Sequence, residues 1–131
     1  MEPQGSHRVE YDVFSSACPS RPTLEHVTGR WGTLTLGALE AGPLRFNTLL
    51  RRVDGISQKM LAQTLQALVR DGFVHRENLS TVGLHVEYRL TALGNDTVAQ
   101  VSRLIDLLES RMPEVLAAQR RYDRAEAVTT Q

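Results

Sequence analysis

At 131 residues, 41% of them hydrophobic, the chain can bury one modest core. Fifteen basic and fifteen acidic residues cancel, so any basic surface must come from their distribution, and no apolar run approaches the roughly 20 residues of a membrane span. The polar N-terminus lacks the apolar stretch of a signal peptide, and a single cysteine, Cys18, excludes an intrachain disulfide framework; both point to the cytoplasm.

In chain order, an arm over residues 1–20 leads to a first helix from Pro22 through Trp31, with Leu24 and Val27 inward. Leu34, Leu36 and Leu39 belong to a second that ends at Ala41-Gly42-Pro43. Trp31 reads as a core anchor rather than a ligand plate. A third, short helix begins at Phe46 and stops after Val53 at Asp54-Gly55, a dipeptide that tolerates a left-handed backbone. Ser57 can cap the next helix. Behind it Met60, Leu61, Leu65, Leu68 and Val69 repeat at three- and four-residue intervals on a buried side that ends near Asp71-Gly72.

The opposite face carries Lys59, Ala62, Gln63 and Gln66. A small residue among long polar ones lets such a face approach a groove closely, and Gln and Lys pair with adenine and guanine edges. On this reading Ser57, Gln58, Lys59 and Gln63 enter the major groove, with Arg51, Arg52 and Arg76 on phosphates. An ordinary amphipathic helix with a solvated face has the same period, so the following segment matters.

After Gly72 the pattern turns to alternation: Phe73 and Val74 lead into His75-Arg76, then Leu84, Val86, Tyr88 and Leu90 fall on one face and His85, Glu87 and Arg89 on the other. A polar loop with Asn78, Ser80, Thr81 and Gly83 joins the two strands, and a simple register sets His75 opposite Tyr88. Helix, turn, helix and hairpin in that order is the winged helix arrangement, whose wing lies over the phosphate backbone. From Thr91 a long helix carries Val98, Val101, Leu104, Ile105 and Leu108 at helical spacing, a stripe longer than a small domain needs and suited to a partner helix. Past Pro113 a further segment adds Val115 and Leu116 before a tail, expected to be disordered beyond Ala125.

Charge follows this division. Arg45 to Arg76 holds six basic residues against two acids, a net of +4, and each flank is −2. The positive charge sits on the reading unit, where it can draw in phosphates and release counterions.

The chain resembles the HxlR-type winged helix-turn-helix regulators of bacteria, relatives of the MarR type. The resemblance rests on Cys18-Pro19, Gly29-Arg30-Trp31, Gly42-Pro43 with Arg45-Phe46, Ile56-Ser57-Gln58-Lys59-Met60-Leu61, Asp71-Gly72, and Val86-Glu87-Tyr88 followed by Leu90-Thr91 and Leu93-Gly94. The chain departs from the family's wing at Gly83, where prolines are usual, and at His85, which stands at the basic position and is carried over as a DNA contact. The resemblance implies a mainly α fold with a small β-hairpin (α+β), a winged helix-turn-helix with added dimerisation helices. It also implies a transcriptional regulator that binds an inverted-repeat operator in double-stranded DNA as a homodimer. The domains expected are the arm (1–20), the DNA-binding domain with the start of the dimerisation helix (21–110), and a C-terminal helix and tail (111–131). Val98, Val101, Ile105 and Leu108 are the expected dimer face.

Some members of the resembled family sense oxidants or quinones through the cysteine at the position of Cys18. Ser15-Ser16-Ala17 would leave it on a flexible, accessible arm, with Arg21 as the one sequence neighbour able to supply a cation. A buried structural cysteine of ordinary reactivity is the competing reading, and a small-molecule effector is the alternative switch. The histidines at 7, 26, 75 and 85 have no metal-site spacing, and no phosphate loop or catalytic pairing stands out, so no metal, cofactor or catalytic residue is expected. A winged-helix protein-interaction module without sequence-specific DNA binding is the alternative function, and a small enzyme is remote.

Overall fold

The computed structural model describes residues 10–129; residues 1–9, with His7 among them, and 130–131 lie outside the described residues. Four helices come first: α1 (Ser20–Thr28), α2 (Arg30–Ala38), α3 (Phe46–Arg52) and α4 (Gln58–Arg70). Strands β1 (Val74–Asn78) and β2 (Val86–Leu90) follow, and then α5 (Ala92–Ser110) and α6 (Met112–Thr129). The fold is mainly α with one antiparallel hairpin. The chain forms two compact units, Met1–Val98 and Ala99–Gln131.

The core of the first unit is leucine. Leu36, Leu39, Leu49, Leu61, Leu65 and Leu68 are each at most 2% exposed, and burying each stabilises the fold by roughly 1.5–3 kcal/mol. They come from α2, α3 and α4, so one cluster holds both helices of the helix-turn-helix against α2. The backbone at each end of α4 is satisfied locally. Ser57 Oγ accepts from the Met60 amide at 3.0 Å, a cap that contributes about 1 kcal/mol. At the far end the Gly72 amide donates to the Val69 carbonyl and the Phe73 amide to that of Leu68, the paired bonds of a Schellman motif, with Gly72 at φ 86°. Thr91 then joins the end of α4 to the start of α5. Its hydroxyl donates to the Gly72 carbonyl at 2.6 Å and accepts from the Gly94 amide at 3.0 Å.

Several expectations are corrected. The first helix runs from Ser20 to Thr28 and stops at Gly29, whose extended ψ of 165° turns the chain into α2. Leu24 and Leu34 are exposed, because Val27, Thr35 and Leu36 fill the contact between α1, α2 and α4. Met60 is likewise exposed, since the buried arc of α4 is the narrower stripe of Leu61, Leu65 and Leu68. Trp31 is half-buried, with its ring edge 3.8 Å from where a side chain at Gly55 would begin and the Arg30 guanidinium 4.8 Å above the ring. In the hairpin His75 faces Arg89 and Arg76 faces Tyr88, one residue off the simple register. Leu84 lies outside β2, in the wing loop. The last helix begins at Met112, with Pro113 in the first turn where its missing N–H costs no bond. It continues to Thr129, where a disordered tail was expected, and the Thr129 hydroxyl bonds back to the Ala125 carbonyl.

Candidate nucleic-acid interface

The polar face of α4 is presented by its buried face. With Leu61, Leu65 and Leu68 locked inward, Lys59, Ala62, Gln63 and Gln66 all point to solvent, as do Ser57 and Gln58 at its start. Arg70 continues the row, spaced four, seven and eleven residues from Lys59 with Gln63 and Gln66. Its side chain is 83% exposed, and its nearest carboxylate, on Asp71, is 3.9 Å away. Asp71 itself is held by His26 Nδ1 at 2.6 Å, which ties α1 to the end of the reading helix and withdraws a carboxylate from the face.

Arginines border two hollows, one beside this face and one at the wing. Between α4 and the hairpin a hollow of about 420 Å³ is lined by Gln66, Arg70, Arg76 and Tyr88, with Ala62, Leu65 and Val69 at its floor. A second, of about 460 Å³, lies between α3 and the wing and is lined by Arg45, Phe46, Asn47, Thr48, Arg51, Leu84 and Val86. Arg51, Arg52 and Arg76 are exposed as expected of phosphate ligands. Arg70 and Arg45 join the side chains that the sequence places here. The helical spacing from Lys59 could have found Arg70, whereas Arg45 is brought beside the wing by Leu44, whose amide and carbonyl both pair with those of Tyr88.

His85, the wing's basic position, has Nε2 3.1 Å from Oε2 of Glu87 in β2. Arg89 and His75 both reach Glu77, at 3.6 and 3.9 Å. Among the described residues Arg45, Arg51 and Arg76 form no such ion pair.

Over residues 26–115 the chain matches the model of the family described as HxlR-like helix-turn-helix. It belongs to this family. Among relatives of this HxlR-like chain, the uncharacterized HTH-type transcriptional regulator YtfH of Escherichia coli K12 is 51% identical over 108 residues, covering 82% of this chain and 86% of the relative. The solved ytfH regulator of Salmonella typhimurium superposes with a TM-score of 0.79 at 49% identity, covering 85% of this chain and 99% of that one. The redox regulator HypR in its reduced form superposes with a TM-score of 0.69 at 32% identity, covering 76% and 98%. The HxlR-like chain is thus a transcriptional regulator of the helix-turn-helix type.

In this HxlR-like chain Cys18 sits in a built turn rather than on a loose arm. The Ser15, Cys18 and Arg21 amides donate in succession to the carbonyls of Asp12, Ser15 and Cys18. Arg21 is not the cation beside the thiol. Its guanidinium donates to the carbonyls of Val13 and Phe14, both at 2.8 Å, and so fastens the turn. Cys18 Sγ, half-buried, instead lies 3.1 Å from the Ser20 hydroxyl and accepts the Asp12 amide at 3.2 Å. The Ser20 hydroxyl, then the Ser20 and Asp12 backbone, hold the thiol below its ordinary pKa, against partial desolvation and the Asp12 carboxylate. A lowered pKa means more thiolate at neutral pH. Alkylation of the native protein by iodoacetamide is therefore expected to rise with pH from a lower onset than for an unstructured cysteine. Ser20→Ala should move that onset upward. Coincident profiles for the two proteins would show that the Ser20 hydroxyl does not activate Cys18.

Among the described residues no group of three or more His, Cys, Asp or Glu side chains could hold a metal ion, and no helix is long and apolar enough to cross a membrane. The stripe on α5 divides: Val98 and Val101 are 3% and 8% exposed in the single chain, whereas Leu104, Leu107 and Leu108 are each 50% exposed. Ile105 lies between these extremes. Met112 and Leu116 of α6 are exposed as well.

Proposed function

We propose that the chain is a cytoplasmic regulator that binds an inverted-repeat operator as a homodimer, with α4 in the major groove and the hairpin over the backbone. The observation that carries it is the row of Lys59, Gln63, Gln66 and Arg70, exposed along one side of a helix whose other side is immobile in the core. A rigid element presenting amide and cationic side chains at helical spacing suits base edges spaced along a groove. Arg76 beside α4, and Arg45, Arg51 and Arg52 at the start of α3 and within it, are available for phosphates. Leu104, Leu107, Leu108 and Met112 supply the surface for a second copy, and a two-fold dimer imposes half-sites about one helical turn apart or a small multiple of it.

Selection of bound fragments from random duplexes should yield such a repeat. On it, Gln63→Ala is expected to cost roughly 1–3 kcal/mol and relax preference at one position of each half-site. Arg76→Ala should weaken all sequences about equally and reduce the salt slope by about one per subunit. Anisotropy titrations at several salt concentrations separate the two, and unchanged binding in both variants would remove α4 and the hairpin from the interface.

The signal we assign to this regulator is an oxidant or electrophile acting at Cys18. The activated thiol geometry supports it, as does the likeness to HypR, a redox regulator by name. Operator affinity with and without diamide or a quinone tests it: the response should vanish in Cys18→Ser, and an equal response there would favour a small-molecule effector elsewhere.

A further inference from the structure

The wing tip has a chemistry unlike the rest of the interface. From Leu79 to Leu84 there is no charged side chain, and Leu79, Val82 and Leu84 are 52%, 86% and 73% exposed. Asn78 and Ser80 brace the tip. Asn78 Oδ1 accepts from the amides of Ser80 at 3.1 Å and His85 at 3.3 Å. The Ser80 hydroxyl donates to the Val82 carbonyl and accepts from the Val82 amide. The Leu79 amide donates to the His85 carbonyl at 2.7 Å, which carries the ladder one step past the strands, and Gly83 at φ 81° closes the turn.

A loop built this way cannot neutralise phosphates, yet it holds three apolar side chains out in water on a fixed frame. The cations lie at the wing's root, where Arg45 and Arg51 share a hollow with Leu84, while Arg76 leaves the other strand. Phosphates met at the root would leave the tip beyond the backbone, at the groove. Apolar side chains delivered to a minor groove act as wedges that unstack a base step and bend the duplex.

We propose that Val82, backed by Leu79 and Leu84, wedges into the minor groove flanking each half-site, so that the wing contributes bending and step selectivity instead of charge. The proposal rests on the DNA-binding reading above and assigns the wing its role within it. Pyrimidine–purine steps unstack most easily, so the flank should favour them at a position where the protein makes no hydrogen bond to a base.

The test uses the full chain and its selected operator, with Val82→Ser, an exposed change that leaves the bracing bonds in place. Circular-permutation mobility should show a kink of about 20° or more at each wing in the wild type and a smaller one in the variant. Affinity should fall about tenfold with no change in salt slope, because no cation is lost. Replacing the flanking pyrimidine–purine step by a stiff A-tract should weaken the wild type about tenfold and leave Val82→Ser unmoved. Wild-type bend, affinity and step preference in Val82→Ser would overturn the wedge, and so would a loss accompanied by a shallower salt slope, which would place the tip on phosphates. Lys59→Ala, run alongside, keeps the two readings apart: if it weakens binding while Val82→Ser does not, only the wedge fails. If neither weakens binding, the groove assignment of α4 fails with it.

Discussion

Gly32→Ala is expected to lose about 3 kcal/mol or more of stability, a large share of the ~5–15 kcal/mol that holds a domain of this kind together. A Cβ at Gly32 would stand 1.8 Å from the His26 carbonyl oxygen and 3.0 Å from its carbon. Both are backbone atoms of α1, so no side-chain rotation relieves the clash, and α1 and α2 must move apart. That separation would open the packing of Val27 and Leu36 and loosen Trp31 from the turn at Gly55, which sets the angle between α3 and α4. Gly42→Ala offers the contrast, because nothing lies within 4 Å of a Cβ there and only its φ of 147° is unfavourable. Thermal melts followed by circular dichroism should therefore rank Gly32→Ala far below Gly42→Ala. A melting point for Gly32→Ala within about 5 °C of wild type would mean that α1 and α2 are not in backbone contact.

Leu108→Glu is expected to yield a monomer whose operator affinity is lower by about a hundredfold or more, because a bivalent complex becomes two independent half-site contacts. Leu108 is half exposed in the single chain, so a glutamate there can remain hydrated in the monomer. In the proposed dimer each copy would carry a carboxylate into an apolar contact, and such burial costs several kcal/mol per ion unless it is paired. Sedimentation should show the loss of the dimer, and anisotropy should show the variant binding a full operator and an isolated half-site with nearly equal strength. A dimeric Leu108→Glu with wild-type operator affinity would place the interface elsewhere.

The reading helix was legible residue by residue. Ser57, the stripe of Leu61, Leu65 and Leu68, and Gly72 each act within about four residues of backbone, and a cap, a period and a left-handed turn are properties that a short window of sequence contains. The same window failed at Leu24, Leu34 and Met60, which sit beside the buried arc yet stay exposed. An apolar period says that one side of a helix is buried without saying how wide the covering neighbour is. Val98, Val101 and Leu108 share one sequence stripe, yet the first two are buried and Leu108 is half exposed.

The sequence by itself determined the order helix, turn, helix, hairpin, the concentration of positive charge on the central third, and the polar face of α4, because these depend on composition and on bonds between near neighbours. Only the tertiary structure decided which cations stand together and which meet a carboxylate. Leu44 pairs with Tyr88 across more than forty residues and brings Arg45 beside the wing, while Glu87 meets His85 and leaves the root to α3. Arg21, three residues from Cys18 in sequence, turns to the carbonyls of Val13 and Phe14 and leaves the thiol to Ser20 and the Asp12 amide. The physical reason is that hydrogen-bonding groups, main-chain or side-chain, pair with whatever partner the folded backbone places within about 3 Å, and separation along the chain does not by itself determine which partner that is.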